Sequence, residues 1–217
     1  MEFLNEETIA TGGFDDTIQI WFICTGITNR TIHTYTDVYA LQLLSNGFYL
    51  AAGLGDRNII IYDIYTGAKI NTLKGHSKWV FDLVLLCNNN LLASSSGDNT
   101  TRIWDLTTYT LKYNLTGHTS WVRGLKLVST EILASGSWDY TIKLWNITDG
   151  TLIRTLSEHT NKISWSVDLF NSYILVSGSY DRKIKLWNIT TGSCLKTTDT
   201  GTSIGALAVL KLTMTSK

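Results

Sequence analysis

Residues 135–146 read SGSWDYTIKLWN, and residues 177–188 read SGSYDRKIKLWN. Residues 94–105 (SSSGDNTTRIWD) are a third copy, and residues 52–63 (AGLGDRNIIIYD) and 11–22 (TGGFDDTIQIWF) are worn ones. The anchoring aromatics Trp21, Tyr62, Trp104, Trp145 and Trp187 stand 41, 42, 41 and 42 residues apart. A period of that length means an array of one supersecondary unit, in which neighbouring copies bury a core that none could bury alone. The copies run nearly end to end with no low-complexity linker, so residues 1–217 are expected to form one domain.

Within one unit, residues 152–156 (LIRTL) alternate like a strand with one buried face, and residues 163–169 read as a second strand. Residues 173–177 (YILVS) are apolar enough for a strand covered on both faces, and residues 184–187 (IKLW) make the fourth. The turn at residues 178–182 carries Gly and Asp, which supply turn geometry and local hydrogen bonds. A glycine follows four of the anchors (Gly26, Gly67, Gly150, Gly192), with Tyr109 as the exception. Helical periodicity is absent, and the reading is all-β with short antiparallel strands.

Charge and composition remove several classes of function. Lysine plus arginine equal aspartate plus glutamate at 18 each. A balanced chain without a basic run lacks the footprint of a nucleic-acid or anionic-membrane binder. Cys24, Cys87 and Cys194 have no metal-like spacing, and three unpaired thiols fit an intracellular location, cytoplasm or nucleus. No metal, cofactor or small-molecule substrate is expected, because no ligand or phosphate-cradling motif occurs.

Three polar positions are locked to the anchor. A Ser or Thr lies ten residues before it at Thr11, Ser94, Ser135 and Ser177, with Ala52 the exception. An Asp lies six before it at Asp15, Asp56, Asp98, Asp139 and Asp181. A His opens three units at His76, His118 and His159. Ser, His and Asp together invite a hydrolase reading, but a catalytic triad occurs once and needs an exposed nucleophile beside an oxyanion hole. Here the set occurs three times in register, each time with a Trp. That repetition favours a structural network in which indole, hydroxyl, imidazole and carboxylate satisfy one another. With those residues removed no acid–base cluster remains, so no enzyme activity is expected.

These marks resemble the WD-repeat (WD40) family over nearly the whole chain: Gly75-His76, Gly117-His118, the turn Asp, and the endings Trp104-Asp105, Trp145-Asn146 and Trp187-Asn188. The resemblance implies a β-propeller of four-stranded blades around a channel. It assigns structural networks to His76/Ser94/Asp98/Trp104, His118/Ser135/Asp139/Trp145 and His159/Ser177/Asp181/Trp187. The second unit departs from it, with Ala52 and Tyr62 in place of Ser and Trp and Tyr35 expected at the His position, so its blade should be the softest. Two strands at the start (the first at residues 7–11), four full units and two strands at the end (the last at 203–212) make twenty, enough for five blades. A closed five-bladed ring is expected if the last strand docks beside the first two; the other possibility is part of a ring of about seven blades.

The resemblance also implies which residues line the top face. Before the turn Asp these are Phe14, Gly55, Gly97, Trp138 and Tyr180. Around the first strand of each unit they are Asp37, Tyr39, Trp79, Phe81, Trp121 and Arg123, with Trp165 placed only to within one residue. Of these, Tyr39, Trp79, Phe81, Trp121, Arg123, Trp138 and Tyr180 form the candidate site. Exposed aromatics around an arginine fit a hot spot for partner proteins or peptides, and the expected function is a non-catalytic protein-interaction scaffold. A phosphopeptide adaptor of the ubiquitin-ligase type would want several top-face arginines, and only Arg123 is so placed. A carbohydrate-binding propeller would repeat its aromatic in every blade, and Gly55 and Gly97 break that repeat.

Overall fold

The computed structural model describes residues 1–86 and 90–209. These residues form twenty strands in five four-stranded antiparallel sheets, with no helix among them. The first sheet comprises β1 (Glu2–Phe3), β2 (Thr8–Gly12), β3 (Thr17–Phe22) and β4 (Thr28–His33). The second holds β5 (Val38–Leu43), β6 (Tyr49–Leu54), β7 (Ile59–Asp63) and β8 (Lys69–Leu73). The third holds β9 (Val80–Leu85), β10 (Leu91–Ser96), β11 (Thr101–Asp105) and β12 (Thr110–Leu115). The fourth holds β13 (Val122–Leu127), β14 (Ile132–Ser137), β15 (Ile142–Asn146) and β16 (Leu152–Leu156). The fifth holds β17 (Val167–Asn171), β18 (Ile174–Gly178), β19 (Lys183–Asn188) and β20 (Cys194–Asp199). In every sheet the strands pair in chain order, as a meander of short turns dictates.

Each anchor packs on the sheet before its own. Trp104 lies among Ala51, Ile59, Ile61 and Leu73 of the second sheet. Trp145 lies among Ala93, Ile103 and Leu115 of the third, and Trp187 among Ala134, Ile142, Leu144 and Leu156 of the fourth. Tyr62 fills the same place against Ala10, Ile18, Ile20 and Ile32. The middle strands of the second, third and fourth sheets are apolar on both faces because each lies between two neighbouring sheets. Trp21 belongs to none of these clusters, and Met1, Phe3 and Ile23 beside it are exposed.

The first strands of successive sheets lie side by side and are tied by polar side chains. Glu2 Oε1 accepts from the Leu43 N–H at 3.0 Å, and Gln42 Oε1 accepts from the Leu85 N–H at 3.1 Å. Asp82 Oδ2 accepts from the Leu125 N–H at 2.8 Å, and Lys126 pairs with Asp168 at 2.6 Å. Branched residues at or just before the start of these strands seat on a glycine of the previous sheet: Val38 on Gly12, Val80 on Gly53, Ile163 on Gly136. A Cβ added at Gly53 or Gly136 would come within 2.9 Å of the seated side chain.

Several expectations are corrected. The strand count of twenty holds for a different reason than expected. The first sheet takes its remaining strand from Glu2–Phe3, which pairs with β2, and not from the far end of the chain. Residues 203–209 form no ladder strand. Ile204 seats on Gly178 and donates its N–H to Ser179 O at 3.0 Å, as Ile163 does to Ser137 O. Ala206 bridges Trp165, and Asp168 Oδ2 accepts from the Val209 N–H at 2.8 Å. This segment therefore occupies the place on the fifth sheet that a first strand takes on each earlier one. The rest of the expected strand, residues 210–212, and Cys87 lie outside the described residues.

The strand expected at residues 163–169 begins at Val167. Val167 pairs with Ser177 as Leu125 pairs with Ser135 and Leu83 with Ser94, so one extra residue separates Val167 from His159. Tyr35 does not stand in for a histidine. Counting back from the seated Val38, the histidine position falls on Thr34, which is 6% exposed, whereas Tyr35 is 87% exposed. Ile163→Ala, which empties a seat, is expected to cost about 2–5 kcal/mol in urea unfolding. Tyr35→Ala should stay within about 0.5 kcal/mol.

Candidate functional site

The predicted networks form in three sheets. In the third, Trp104 Nε1–H donates to Ser94 Oγ at 2.8 Å, Ser94 Oγ lies 2.8 Å from His76 Nε2, and His76 Nδ1 lies 2.8 Å from Asp98 Oδ2. The fourth sheet repeats this through Trp145, Ser135, His118 and Asp139 at 2.8, 2.9 and 2.7 Å. The fifth does so through Trp187, Ser177, His159 and Asp181, all three spacings being 2.7 Å. The first sheet keeps the opening step, Trp21 Nε1–H to Thr11 Oγ1 at 2.8 Å, without a histidine bonded to Thr11.

Donor counting fixes the proton positions. The ionised carboxylate can only accept, so His Nδ1 carries the proton of the neutral ring, and the bare Nε2 takes the serine proton while the serine oxygen accepts from the indole. His Nδ1–H then donates to the carboxylate. The same Asp98 oxygen accepts from the Ser77 N–H, and the other from the Thr100 N–H and hydroxyl. Burial lowers the proton affinity of His76 and His159, against the pull of their aspartates. Burial disfavours the charged forms of Asp98 and Asp139, but the histidine, threonine and backbone donors outweigh it and hold both carboxyls far below the usual range.

Asp, His and Ser thus stand in the order of a nucleophilic triad, and what distinguishes them is access. Ser94, Ser135 and Ser177 are all 0% exposed, and the indole occupies the oxygen that would attack. The arrangement ties a turn, a loop and two strands together.

The aromatic residues gather at one end of the sheets. In each sheet from second to fifth, the residue before the turn Asp donates its N–H to the residue that precedes the seated side chain. The pairs are Gly55 with Asp37, Gly97 with Trp79, Trp138 with Trp121 and Tyr180 with Lys162. That bond sets Trp121 and Trp138 in a stack 4.6 Å apart. Ring contacts continue from Trp121 to Trp79 at 5.7 Å, from Trp79 to Tyr39 at 6.1 Å and from Tyr39 to Phe14 at 5.4 Å. Tyr180 stands apart from this path, 36% exposed.

Phe81 is not the surface residue that was expected. It is 1% exposed, a floor beneath Tyr39, Trp79 and Trp121. Arg123 covers it, its guanidinium carbon 4.1 Å from the Phe81 ring and 3.8 Å from that of Trp165. Trp165, in the stretch that holds the extra residue of the fifth unit, is 40% exposed, and its indole N–H reaches Phe81 O at 3.4 Å. Arg123 makes no ion pair with any described residue, and its Nε is buried without a hydrogen bond. Burial lowers the pKa of this guanidinium, the mark of a partly dehydrated cation.

Sequence reasoning missed Lys162, whose ammonium lies 4.1 Å from the Trp138 ring. Lys162 occupies the position of Trp79 and Trp121, which the extra residue obscured. It also missed Arg57 and Lys78, which flank a pocket of about 460 Å3 beside Trp79 and Trp121.

The model of the WD domain, G-beta repeat, matches residues 26–63, 67–105, 109–146 and 150–188. The chain belongs to the WD40 repeat family. Domains of this family are in general protein-interaction scaffolds. The chain is 36% identical over 77 residues to Transcription factor unc-37 of Caenorhabditis elegans. That match covers 34% of this chain and 12% of the relative, so the chain spans a small part of the relative's length. No helix among the described residues is long and apolar enough to cross a membrane.

Asp139→Ala leaves His118 Nδ1–H and the Thr119 N–H without their acceptor, and a loss of about 1–3 kcal/mol in urea unfolding is expected. The unfolded chain takes up protons at histidine near pH 6.5, which the buried His76 and His159 resist, so stability should fall as pH drops below about 6.5. A second loss follows below about pH 4, where the unfolded aspartates protonate and Asp98 and Asp139 stay charged. Asp82 acts in the opposite sense: burial pushes it up to about 7, and its contribution fades as pH rises through that value. Unfolding free energies measured across pH should therefore peak near neutrality.

Proposed function

We propose that this chain is a non-catalytic scaffold that holds partner proteins or peptides on the aromatic top face, with Tyr39, Trp79, Trp121, Arg123, Trp138 and Tyr180 as the contact residues and Phe81 as their floor. The observation that carries this reading is the run of ring contacts from Phe14 to Trp138, which ends on an arginine without an acidic partner. Large rigid rings bury much area at low entropic cost, and tryptophan, tyrosine and arginine dominate binding hot spots. Trp79 is 43% exposed and Phe14 75%, so a partner would remove considerable apolar surface from water.

The non-catalytic part of the proposal rests on the sealed serines, each 0% exposed beneath its indole. The free thiols of Cys24 and Cys194 are consistent with a reducing compartment.

The test is quantitative capture of a cross-linked or co-purified partner by the wild-type chain and by Trp121→Ala combined with Trp138→Ala. The proposal expects capture to be lost while unfolding remains one cooperative transition. Removal of the stack itself should cost roughly 0.5–1.5 kcal/mol beyond the lost area. Undiminished capture by the double variant would refute it.

A further inference from the structure

Beside the aromatic path lies one gap in the surface, and the gap is charged at its edge. In the fourth sheet the position before the turn Asp holds Trp138, which stacks on Trp121. In the second and third sheets the same position holds Gly55 and Gly97, so Trp79 has no ring from the turn of its own sheet stacked on it, and only Phe81 of that sheet lies against it. The missing side chains leave the pocket lined by Gly55, Gly97, Trp79 and Trp121, with Arg57 and Lys78 on its rim. Neither glycine has the positive φ that would demand it. A Cβ on Gly97 would meet only the edge of Phe81 at 3.3 Å and Lys78 Cβ at 3.4 Å. Backbone conformation therefore does not require glycine at position 97, but these contacts are tight, and a Cβ on Gly55 would come 3.0 Å from the Thr36 hydroxyl, so both glycines form a close-fitting wall of the pocket.

The cations around this space have no acidic partners. Arg57, Lys78, Arg123 and Lys162 form no ion pair with any described residue. The nearby carboxylates are engaged elsewhere: Asp37 accepts from the Tyr39 hydroxyl, Asp56 from both nitrogens of Asn58, and Asp98 and Asp139 from histidine. Four cations without an ion-pair partner among the described residues thus stand together at this place, one of them, Arg123, with a buried Nε that meets no acceptor. Arginine and lysine beside indole faces favour a ligand that brings apolar surface and negative charge together.

We propose that this pocket receives an apolar side chain of a partner segment whose neighbouring residues are aspartate or glutamate. The side chain enters beside the touching rings of Trp79 and Trp121, over Gly55 and Gly97. The flanking carboxylates meet Arg57 and Lys78 on one side and Arg123 on the other. This rests on the aromatic face being the partner-binding surface, and adds which segment it selects.

The probe is a blocked five-residue peptide, glycine–glutamate–phenylalanine–glutamate–glycine, titrated into the chain while tryptophan fluorescence is followed. Saturable quenching that weakens as salt is raised is expected. Versions with lysine for both glutamates, or alanine for phenylalanine, should bind roughly tenfold more weakly or worse. Gly97→Phe should abolish binding by filling the gap. The combined exposed substitutions Arg57→Glu and Lys78→Glu should turn the preference toward the lysine probe, which keeps the test decisive if Gly97→Phe folds poorly.

Absence of saturable binding by the glutamate probe overturns the proposal. So does equal or tighter binding of the lysine version, or a requirement for phosphoserine in place of glutamate. If the lysine version binds and Gly97→Phe blocks it, the acidic preference falls while the aromatic face stands as a docking surface. That wider reading is judged separately, by partner capture in the Trp121→Ala, Trp138→Ala variant.

Discussion

The fold depends on a chain of hydrogen bonds that runs from an indole through a serine and an imidazole to a carboxylate. Four polar groups that would be costly to bury singly become a satisfied set, because each donor meets one acceptor and only one tautomer of the histidine completes the circuit. The serine sits in the second strand of its sheet, the tryptophan in the third, the aspartate in the turn between them and the histidine in the loop that enters the sheet. One network therefore fixes four pieces of backbone. The indole also leans on the preceding sheet, so its position is shared between the network and the contact that stacks one unit on the next.

Stacking is reinforced where the first strands meet. Glu2, Gln42, Asp82 and Asp168 each reach a backbone N–H of the next unit or segment, which makes the polar side chains at this end of the core part of the scaffold. The same strands deliver the aromatic face. A backbone bond between the residue before the turn Asp and the residue before the seated side chain sets two positions side by side. Whether those positions hold two rings, as Trp121 and Trp138 do, or a ring and a glycine, as Trp79 and Gly97 do, decides between a closed surface and a pocket. The repeat thus supplies a constant frame, and its variable positions carry the chemistry that differs between units.

What repeats was readable from the sequence, because a residue seen several times at one spacing can be assigned even when a single copy is ambiguous. The anchors, the three complete networks and the turn glycines belong to that class. Features that occur once were not readable. A strand of two residues, Glu2–Phe3, is too short to show alternation, and only the reach of the Glu2 carboxylate to Leu43 reveals its place. The extra residue before Val167 moved a strand boundary and hid the equivalence of Lys162 with Trp79. Tyr35 drew attention as an aromatic, although Thr34 lies at the buried position. Phe81 has the hydrophobicity of a surface hot spot or of a floor, and only the covering Arg123 separates the two.

The central claim is that the serine–histidine–aspartate sets are sealed ties of the scaffold. Hydrogen exchange of the indole Nε1 protons, followed residue by residue in a labelled sample, tests it most directly. The protons of Trp104, Trp145 and Trp187 should exchange only when the whole chain unfolds, so their protection should rise and fall with global stability across pH. Trp21, whose partner Thr11 lies on the uncovered flank, should exchange sooner. Rapid exchange at all four, as fast as at the exposed Trp79, would mean that the serines are open to solvent and would contradict the account.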